Sequence, residues 1–186
     1  LTLMDARSLS VVIVSWNVSK LLDRCLTSLR SELKRAQVRA SVWVMDNGSE
    51  DETLEMVRAV HPWVNLIRSD ENLGFVEGNN RVMRRLLDGG EVPTYLWLLN
   101  PDTKVHLYAV ERLIGFMSSH PKAGLAGPKL LNTDGSLQMC AFRFPGVIQP
   151  LFDLHLMPER LYYSRFNGRY PRNWFDQEAP FQIDHP

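Results

Sequence analysis

Short apolar segments alternate with segments of helical periodicity over residues 10–120, and this alternation limits the possible folds more than any other feature. The segment SVVIVSWN (10–17) is β-branched and apolar, and the segments around 41–45, 64–69 and 95–99 are similar. Each is followed by a stretch in which apolar residues recur every three or four positions. Strands that alternate with helices form a mainly parallel sheet covered on both faces. The sequence therefore predicts an α/β fold of this kind.

Local signals mark the ends of several predicted elements. Ser19 is placed to cap the first helix, and Ser49 with Glu52 has the spacing of a capping box for the second. The fourth strand, Tyr95–Leu99, is apolar enough to be buried on both faces of the sheet. Asp134-Gly135 lies between two short apolar segments and predicts a hairpin turn.

The regular pattern ends near residue 141. Residues 141–186 are rich in aromatic residues, proline and arginine, and only 148–156 has the character of a short helix. We expect residues 1–140 to form the α/β domain. We expect 141–186 to be an irregular continuation of it rather than a separate domain.

Composition excludes several functional classes. The 21 basic and 21 acidic residues give a net charge of zero, which argues against a nucleic-acid partner. No segment approaches the ~18 apolar residues that a membrane span requires, and residues 1–10 lack the pattern of a signal peptide. We expect a cytoplasmic location, with work at the membrane surface left open. Cys25 lies on the apolar face of a predicted helix, which favours a buried free thiol.

Polar residues and glycines follow each predicted strand. In parallel α/β sheets, ligands bind at the carboxyl ends of the strands, so these residues are the candidates for a binding site. The candidates are Ser15, Trp16 and Asn17 after the first strand, Asp46, Asn47, Gly48 and Ser49 after the second, Asp70, Glu71, Asn72 and Gly74 after the third, and Asn100, Pro101, Asp102 and Thr103 after the fourth.

Two of these carboxylates have competing explanations. Asn100-Pro101-Asp102-Thr103 has the composition of a turn, but a lone carboxylate beside an apolar strand also suits Mg²⁺ or Mn²⁺. The Asn47-Gly48 pair predicts a turn, and this turn leaves Asp46 unexplained. Asp46 is placed to accept hydrogen bonds from a base N–H or a ribose hydroxyl.

Several common motifs are absent from the sequence. It contains neither the G-x-G-x-x-G nor the G-x-x-x-x-G-K-[ST] phosphate motif, which argues against an NAD-binding domain and a P-loop NTPase. It also lacks zinc-ligand spacing and a G-x-S-x-G nucleophile elbow.

Gly74 and Gly78 permit either close approach to a ligand or dense helix packing.

The segments VVIVSWN, VWVMDNGSEDET, ENLGFVEGNN, YLWLLNPDT and AGLAGPKLLNTDGSLQ occur in the order and rough spacing of the family 2 glycosyltransferases. Over about residues 10–145, the chain most resembles the rhamnosyltransferase-like branch, which builds bacterial surface polysaccharides. The resemblance implies a GT-A fold with a nucleotide-sugar-binding half and an acceptor half, in which residues 141–186 are the irregular start of the acceptor-side region. It also implies transfer, with inversion, from a nucleotide-diphospho-sugar donor to a glycan or lipid-linked acceptor.

The resemblance also implies roles for the candidate residues. Asp46 corresponds to the carboxylate that holds the base or ribose. Asp102 corresponds to the last acid of the metal-binding D-x-D motif, in which Asn100 replaces the first acid. The divalent cation, Mg²⁺ or Mn²⁺, therefore depends mainly on one carboxylate. The other residues that match nucleotide-sugar contacts are Ser15, Asn17, Asn72, Gly74, Asn79 and Asn100.

The resemblance leaves the catalytic base unassigned. The family places this acid well after the D-x-D motif, and we expect it beyond Pro186. This chain alone would then lack the base and would not catalyse the transfer. Two other functions stay open. A non-catalytic nucleotide-sugar-binding module is compatible with the missing base. A sugar-phosphate nucleotidyltransferase is less compatible, because SWNVSKLL after the first strand contains no glycine.

Overall fold

A computed structural model describes residues 8–90, 92–138, 140, 141, 144, 168, 170, 174, 175 and 180–183. Strands and helices alternate in the order predicted. They are β1 (Ser8–Ser15), α1 (Ser19–Ala36), β2 (Arg39–Asp46), α2 (Thr53–Val60), β3 (Asn65–Arg68), α3 (Gly74–Asp88), β4 (Tyr95–Leu98), α4 (Ala109–Ser119), β5 (Leu130–Leu131) and β6 (Leu137–Gln138).

The first four strands form a parallel sheet in the order β3-β2-β1-β4. This arrangement confirms the predicted α/β architecture. Chain order reverses at β1, because β2 and β3 lie on one side of it and β4 on the other. Ligands of open α/β sheets bind at such a reversal, outside the carboxyl ends of the strands. β1 and β2 end level with each other, with Ser15 paired to Asp46.

Helices cover both faces of this sheet. On one face, α1, α2 and α4 pack against alternate residues of β1 and β2, including the fully buried Val11, Ile13 and Val44. On the other face, α3 packs Val82 and Leu86 against residues of opposite parity such as Val12. β1 is buried on both faces because successive strand residues point to opposite sides.

The prediction that β4 is buried on both faces of the sheet is wrong. Leu96 and Leu98 are 41% and 45% exposed, whereas Tyr95 and Trp97 pack against the core on the other face. β4 is an edge strand of the sheet among the described residues. On that side of the sheet, α3 packs over β1 and β2. The face of β4 on the same side is therefore less well covered by a helix.

The predicted helix caps are also wrong. Ser19 is the first residue of α1, and neither Val18 nor Glu52, the residues that precede α1 and α2, forms a side-chain cap bond. The Ser49 hydroxyl instead accepts a hydrogen bond from the backbone N–H of Asn17, at 3.0 Å. Within the described residues, every helix is too short or too polar to cross a membrane.

The chain divides into two compact units, Leu1–Ala123 and Gly124–Pro186. The second contains the predicted hairpin of β5 and β6, with Gly135 at a φ of +83°. It also contains a small apolar cluster around Ala141, Tyr170 and Phe175. The predicted helix at 148–156 lies outside the described residues. The assignment of 141–186 to an acceptor-side region stays a prediction.

Candidate functional site

The carboxyl ends of β1 and β2 hold three buried side-chain oxygen atoms that lack a hydrogen-bond partner within the described residues. They are Ser15 Oγ, Asp46 Oδ1 and Asn47 Oδ1. The three residues are at most 2% exposed. A buried polar atom without a partner typically costs about 1–3 kcal/mol. Three such atoms at the point where strand order reverses make this edge of the sheet the strongest candidate for a ligand site.

The second oxygen of Asp46 shapes the loop that follows β2. Asp46 Oδ2 accepts a hydrogen bond from the backbone N–H of Ser49, at 3.2 Å. The backbone carbonyl of Asp46 accepts another from Ser69 N–H, at 2.8 Å, which connects the ends of β2 and β3. Asp46 therefore has a structural role through Oδ2, and only Oδ1 is left for a ligand.

The loops after β1 and β2 are linked to each other. Asn17, in the left-handed region with a φ of +53°, accepts a hydrogen bond from Glu50 N–H at its Oδ1, at 2.8 Å. The backbone N–H of Ser19 donates to Asp51 Oδ2, at 3.0 Å. The amide oxygen of Asn17 is thus already engaged in holding the two loops together.

Asp51 receives further hydrogen bonds from Thr53, through its hydroxyl and its backbone N–H. Burial raises the pKa of Asp51, but these bonds and the one from Ser19 outweigh that effect and leave the pKa below its usual value. A lowered folded-state pKa contributes stability above the unfolded-state value of about 4. This contribution is lost as the pH falls through the lowered pKa.

The loop between β3 and α3 packs on Asn47. Asn47 Nδ2 donates to Asn72 Oδ1 at 3.3 Å and to the carbonyl of Gly74 at 3.1 Å. The backbone N–H of Gly74, whose φ is +73°, also donates to Asn72 Oδ1, at 2.9 Å. Asn79 lies one turn further along α3, buried, and donates to the carbonyl of Phe75 at 2.8 Å.

Two glycines allow these segments to approach closely. A Cβ at Gly48 would lie 3.2–3.3 Å from backbone atoms of Glu71, and Gly48 has a φ of +73°. A Cβ at Gly78 would lie 3.0 Å from Val14 Cγ1 and 3.4 Å from Asn47 Oδ1. For Gly78, this supports the helix-packing explanation over close approach to a ligand.

We expect Gly48→Ala to destabilise the protein by about 2 kcal/mol, because it adds a tight backbone contact to the ~1 kcal/mol cost of a left-handed alanine. Gly90→Ala is the matched control. Gly90 has a φ of +71° but nothing within 4 Å of its Cβ position. Urea unfolding measures both variants. If Gly48→Ala and Gly90→Ala lost equal amounts of stability, the tight contact between Gly48 and Glu71 would contribute nothing to the cost of Gly48→Ala.

The turn after β4 lies on the other side of β1. The carbonyl of Asn100 accepts hydrogen bonds from Thr103 N–H at 3.3 Å and from the Thr103 hydroxyl at 2.7 Å. The predicted turn is therefore present. The metal site at Asp102 stays a prediction, and the Asp102 carboxylate is exposed. Asp102 has no hydrogen bond or ion pair with any residue that the structure describes.

Cys25 lies in α1 against this turn. Its thiol is fully buried and free, as predicted, 3.6 Å from the Asn100 carbonyl and 3.8 Å from Thr103 Oγ1. Burial raises the pKa of Cys25 to about 11; the hydrogen bond with Thr103 lowers it and the negative charge of Asp102 raises it. Cys25 is therefore an unreactive thiol at neutral pH.

The structure brings some of the predicted residues together and leaves others apart. Ser15 and Asp46 are register neighbours, and Asn47 joins this pair to the loop of Asn72 and Gly74. Asn100 and Asp102 follow β4, two strand spacings (about 10 Å) from β2. The three unpartnered oxygens have almost no solvent exposure, so a ligand reaches them only if neighbouring residues move.

Asn47 is among the residues that follow the second strand, but the Asn-Gly turn explains it at the level of the sequence, and it has no predicted binding role. A cavity of about 850 Å³ lies beside the linked loops and is lined partly by Asn17, Ser49 and Glu50.

The donor set at the fourth strand suits a weakly held cation. The described residues contain no group of three or more His, Cys, Asp or Glu side chains that could hold a metal ion. Mg²⁺ commonly takes one or two protein carboxylates and completes its shell with phosphate oxygens and water. A single free carboxylate at Asp102 fits a cation that arrives with a phosphorylated ligand.

A parallel sheet with polar residues at its strand-order reversal is typical of α/β proteins that bind a ligand at the carboxyl ends of their strands. The family model described as "Glycosyl transferase family 2" matches residues 10–184. The chain therefore belongs to glycosyltransferase family 2, which confirms the resemblance.

A curated relative supports the rhamnosyltransferase-like branch. The N-acetylglucosaminyl-diphospho-decaprenol L-rhamnosyltransferase of Mycobacterium tuberculosis is 32% identical over 147 residues, which cover 76% of this chain and 47% of the relative. The chain thus spans about half the length of the relative that it matches.

Solved structures support the fold. The crystal structure of S. aureus TarS 1-349 matches with a TM-score of 0.52 and 17% identity, covering 73% of this chain and 41% of that chain. The mannosyltransferase PcManGT from Pyrobaculum calidifontis, in complex with GDP-Man and Mn²⁺, matches with a TM-score of 0.51 and 17% identity, covering 59% and 32%. At this identity, the likeness concerns the fold.

Proposed function

We propose that this chain carries the donor-binding part of an inverting glycosyltransferase. It would transfer a sugar from a nucleotide diphosphate to a glycan or lipid-linked acceptor in surface polysaccharide synthesis. The observation that carries this proposal is the group of buried oxygens on Ser15, Asp46 and Asn47 that have no hydrogen-bond partner among the described residues. Family membership and the fold support it.

The chemistry of these oxygens limits what they bind. A carboxylate oxygen and an amide oxygen only accept hydrogen bonds, so the ligand must donate. A base N–H or a ribose hydroxyl of a nucleotide provides such donors. The contacts of the β3–α3 loop with Asn47 suggest that movement of Asn72 and Gly74 accompanies ligand entry. Asn17 holds the loops after β1 and β2 together, through the bond that it accepts from Glu50, and Asn79 stabilises the first turn of α3, through its bond to the carbonyl of Phe75.

Asp102, with Asn100 beside it, would hold Mg²⁺ or Mn²⁺ at the diphosphate. When bound, the cation supplies positive charge against the charge that develops on the leaving phosphate. The chain's own contribution is to place one exposed carboxylate on a turn at the end of β4. The acceptor hydroxyl needs a general base, and its placement beyond Pro186 stays a prediction.

The relative's name suggests the finer identity of the reaction. It describes a rhamnosyltransferase whose acceptor is a lipid-linked diphospho-sugar. We therefore propose a nucleotide-linked rhamnose as donor and a lipid-linked saccharide as acceptor. We also propose that the full-length protein works at the inner membrane face, in peripheral association from the cytoplasm, because this acceptor would lie in the membrane.

Nucleotide binding tests the proposal directly. We expect UDP or dTDP at about 100 times its dissociation constant to stabilise the chain by ~2.7 kcal/mol, which raises the midpoint of thermal unfolding by roughly 5–10 °C. Scans are recorded with UDP, dTDP and GDP, each with and without Mn²⁺. ADP is the control for non-specific diphosphate binding. A folded chain that shows no shift with any of these nucleotides would rule out the pocket.

A further inference from the structure

Helix α1 contacts both ends of the candidate site. Its first residue, Ser19, is bound to the loop after β2, and its second and third turns contact the segment that contains Asp102. We propose that Cys25 and Ser28 are positioning residues, which fix the Asp102 carboxylate relative to Asp46. This inference rests on the proposed function, because it concerns the cation that Asp102 would hold.

The contacts at the Asp102 end are made by two residues on one face of α1. Ser28 Oγ accepts a hydrogen bond from the backbone N–H of Val105 at 3.0 Å, while its own hydroxyl donates to the carbonyl of Cys25 at 2.9 Å. The Cys25 thiol donates to the carbonyl of Asn100 at 3.6 Å. α1 thus holds the segment of Asp102 on both sides of that residue.

The rest of α1 is rigidly placed. Leu22, Leu26 and Leu29 are fully buried in the core beneath the sheet. Cys25 lies six residues after Ser19, which is about 9 Å along a helix axis. α1 therefore acts as a spacer of fixed length between the loop that follows Asp46 and the segment of Asp102.

Asp102 depends on this support because its side chain has no partner in the part of the chain that the structure describes. Its exposed carboxylate makes no hydrogen bond or ion pair within the described residues. The placement of its backbone then sets the range of positions that its oxygens can reach in the different rotamers. A displacement of about 1 Å is enough to impair a site that relies on one protein ligand.

The test compares the Mn²⁺-dependent gain in nucleotide affinity between variants of the 186-residue chain. Titration calorimetry with UDP or dTDP, with and without Mn²⁺, measures this gain. We expect Ser28→Ala to reduce the gain at least fivefold and to change the metal-free affinity less than twofold. Ser28→Thr, which keeps a hydroxyl, should restore most of the gain. Thr27→Ala, on the exposed side of α1, is the matched control.

A second pair of variants covers the case in which Ser28→Ala does not fold. Cys25→Ala should reduce the gain, and Cys25→Ser should restore it, because the hydroxyl can still donate to Asn100. In the folded wild type, Mn²⁺ bound with nucleotide should also broaden the amide resonances of Thr103 and Val105 more than those of α2.

The outcomes separate the two proposals. A full Mn²⁺-dependent gain in both Ser28→Ala and Cys25→Ala overturns the positioning role and leaves the proposed function intact. A wild type that binds nucleotide equally with and without Mn²⁺ overturns the positioning role and the cation together. Failure of the wild type to bind any nucleotide overturns the proposed function itself.

Discussion

Asp46→Asn should weaken nucleotide binding by tenfold to a hundredfold, with or without Mn²⁺. The amide can still place its oxygen against the backbone N–H of Ser49, where Asp46 Oδ2 lies at 3.2 Å. Its NH₂ group then replaces the unpartnered Oδ1 and presents a donor where the ligand also donates. The loss of one hydrogen bond to a charged group is worth about 1.5–3 kcal/mol, which corresponds to this range of affinity.

The measurement is titration calorimetry with UDP or dTDP on a variant whose fold is verified by its unfolding curve. Asp70→Asn is the matched control, because it removes one negative charge near the end of β3 from a side chain that is 99% exposed. If Asp46→Asn bound nucleotide as tightly as Asp70→Asn, Asp46 would be only a loop-ordering residue. The nucleotide site would then need another carboxylate.

The strands of this fold are predictable because their sequences are locally unambiguous. Val11, Val12 and Ile13 are consecutive apolar residues, and all three are fully buried. β4 has the same local character, yet Leu96 and Leu98 are each more than 40% exposed. The difference arises from the order of strands in the sheet. That order depends on how the whole chain packs and is not contained in residues 95–99.

The helix starts show the same limit. Ser49 and Glu52 have the spacing of a capping box, but the Ser49 hydroxyl is used by the backbone of Asn17, 32 residues earlier in the chain. Local side-chain bonds compete with partners that only the folded chain brings near. Sequence patterns identify the helices well and their terminal hydrogen bonds poorly.

The candidate site was predictable where a polar residue directly follows a buried strand, as at Ser15 and Asp46. Other contributions depend on contacts between distant segments. Asn47 was assigned to a turn, and its bonds to the β3–α3 loop required the fold. Cys25 was assigned correctly to the core, but its contact with Asn100 could not be inferred from helical periodicity.

Asp102→Asn should reduce the Mn²⁺-dependent gain in nucleotide affinity by about tenfold or more. The affinity measured without metal should stay within twofold of the wild-type value. Asp102 is exposed and has no ion-pair partner among the described residues, so the fold loses no described hydrogen bond in the variant. The cation would lose its main protein ligand, since Asn100 offers only a neutral amide oxygen. Without metal, removal of a negative charge near the diphosphate gives a small gain in affinity or no change.

Asn100→Asp is the complementary variant, because it supplies a second carboxylate two residues before Asp102. We expect Asn100→Asp to enlarge the Mn²⁺-dependent gain in nucleotide affinity. The double variant, which combines Asn100→Asp with Asp102→Asn, should recover part of the gain that Asp102→Asn alone loses. Calorimetry with and without Mn²⁺ measures all three variants. If Asp102→Asn lowered the metal-free affinity as much as Asp46→Asn does, the two carboxylates would share one role. The proposal that Asp46 contacts the nucleotide at β2 and Asp102 contacts the cation at β4 would then be wrong. Loss confined to the Mn²⁺ condition would place the cation at the turn after β4, because Asp46 lies two strands away and keeps its charge in this variant.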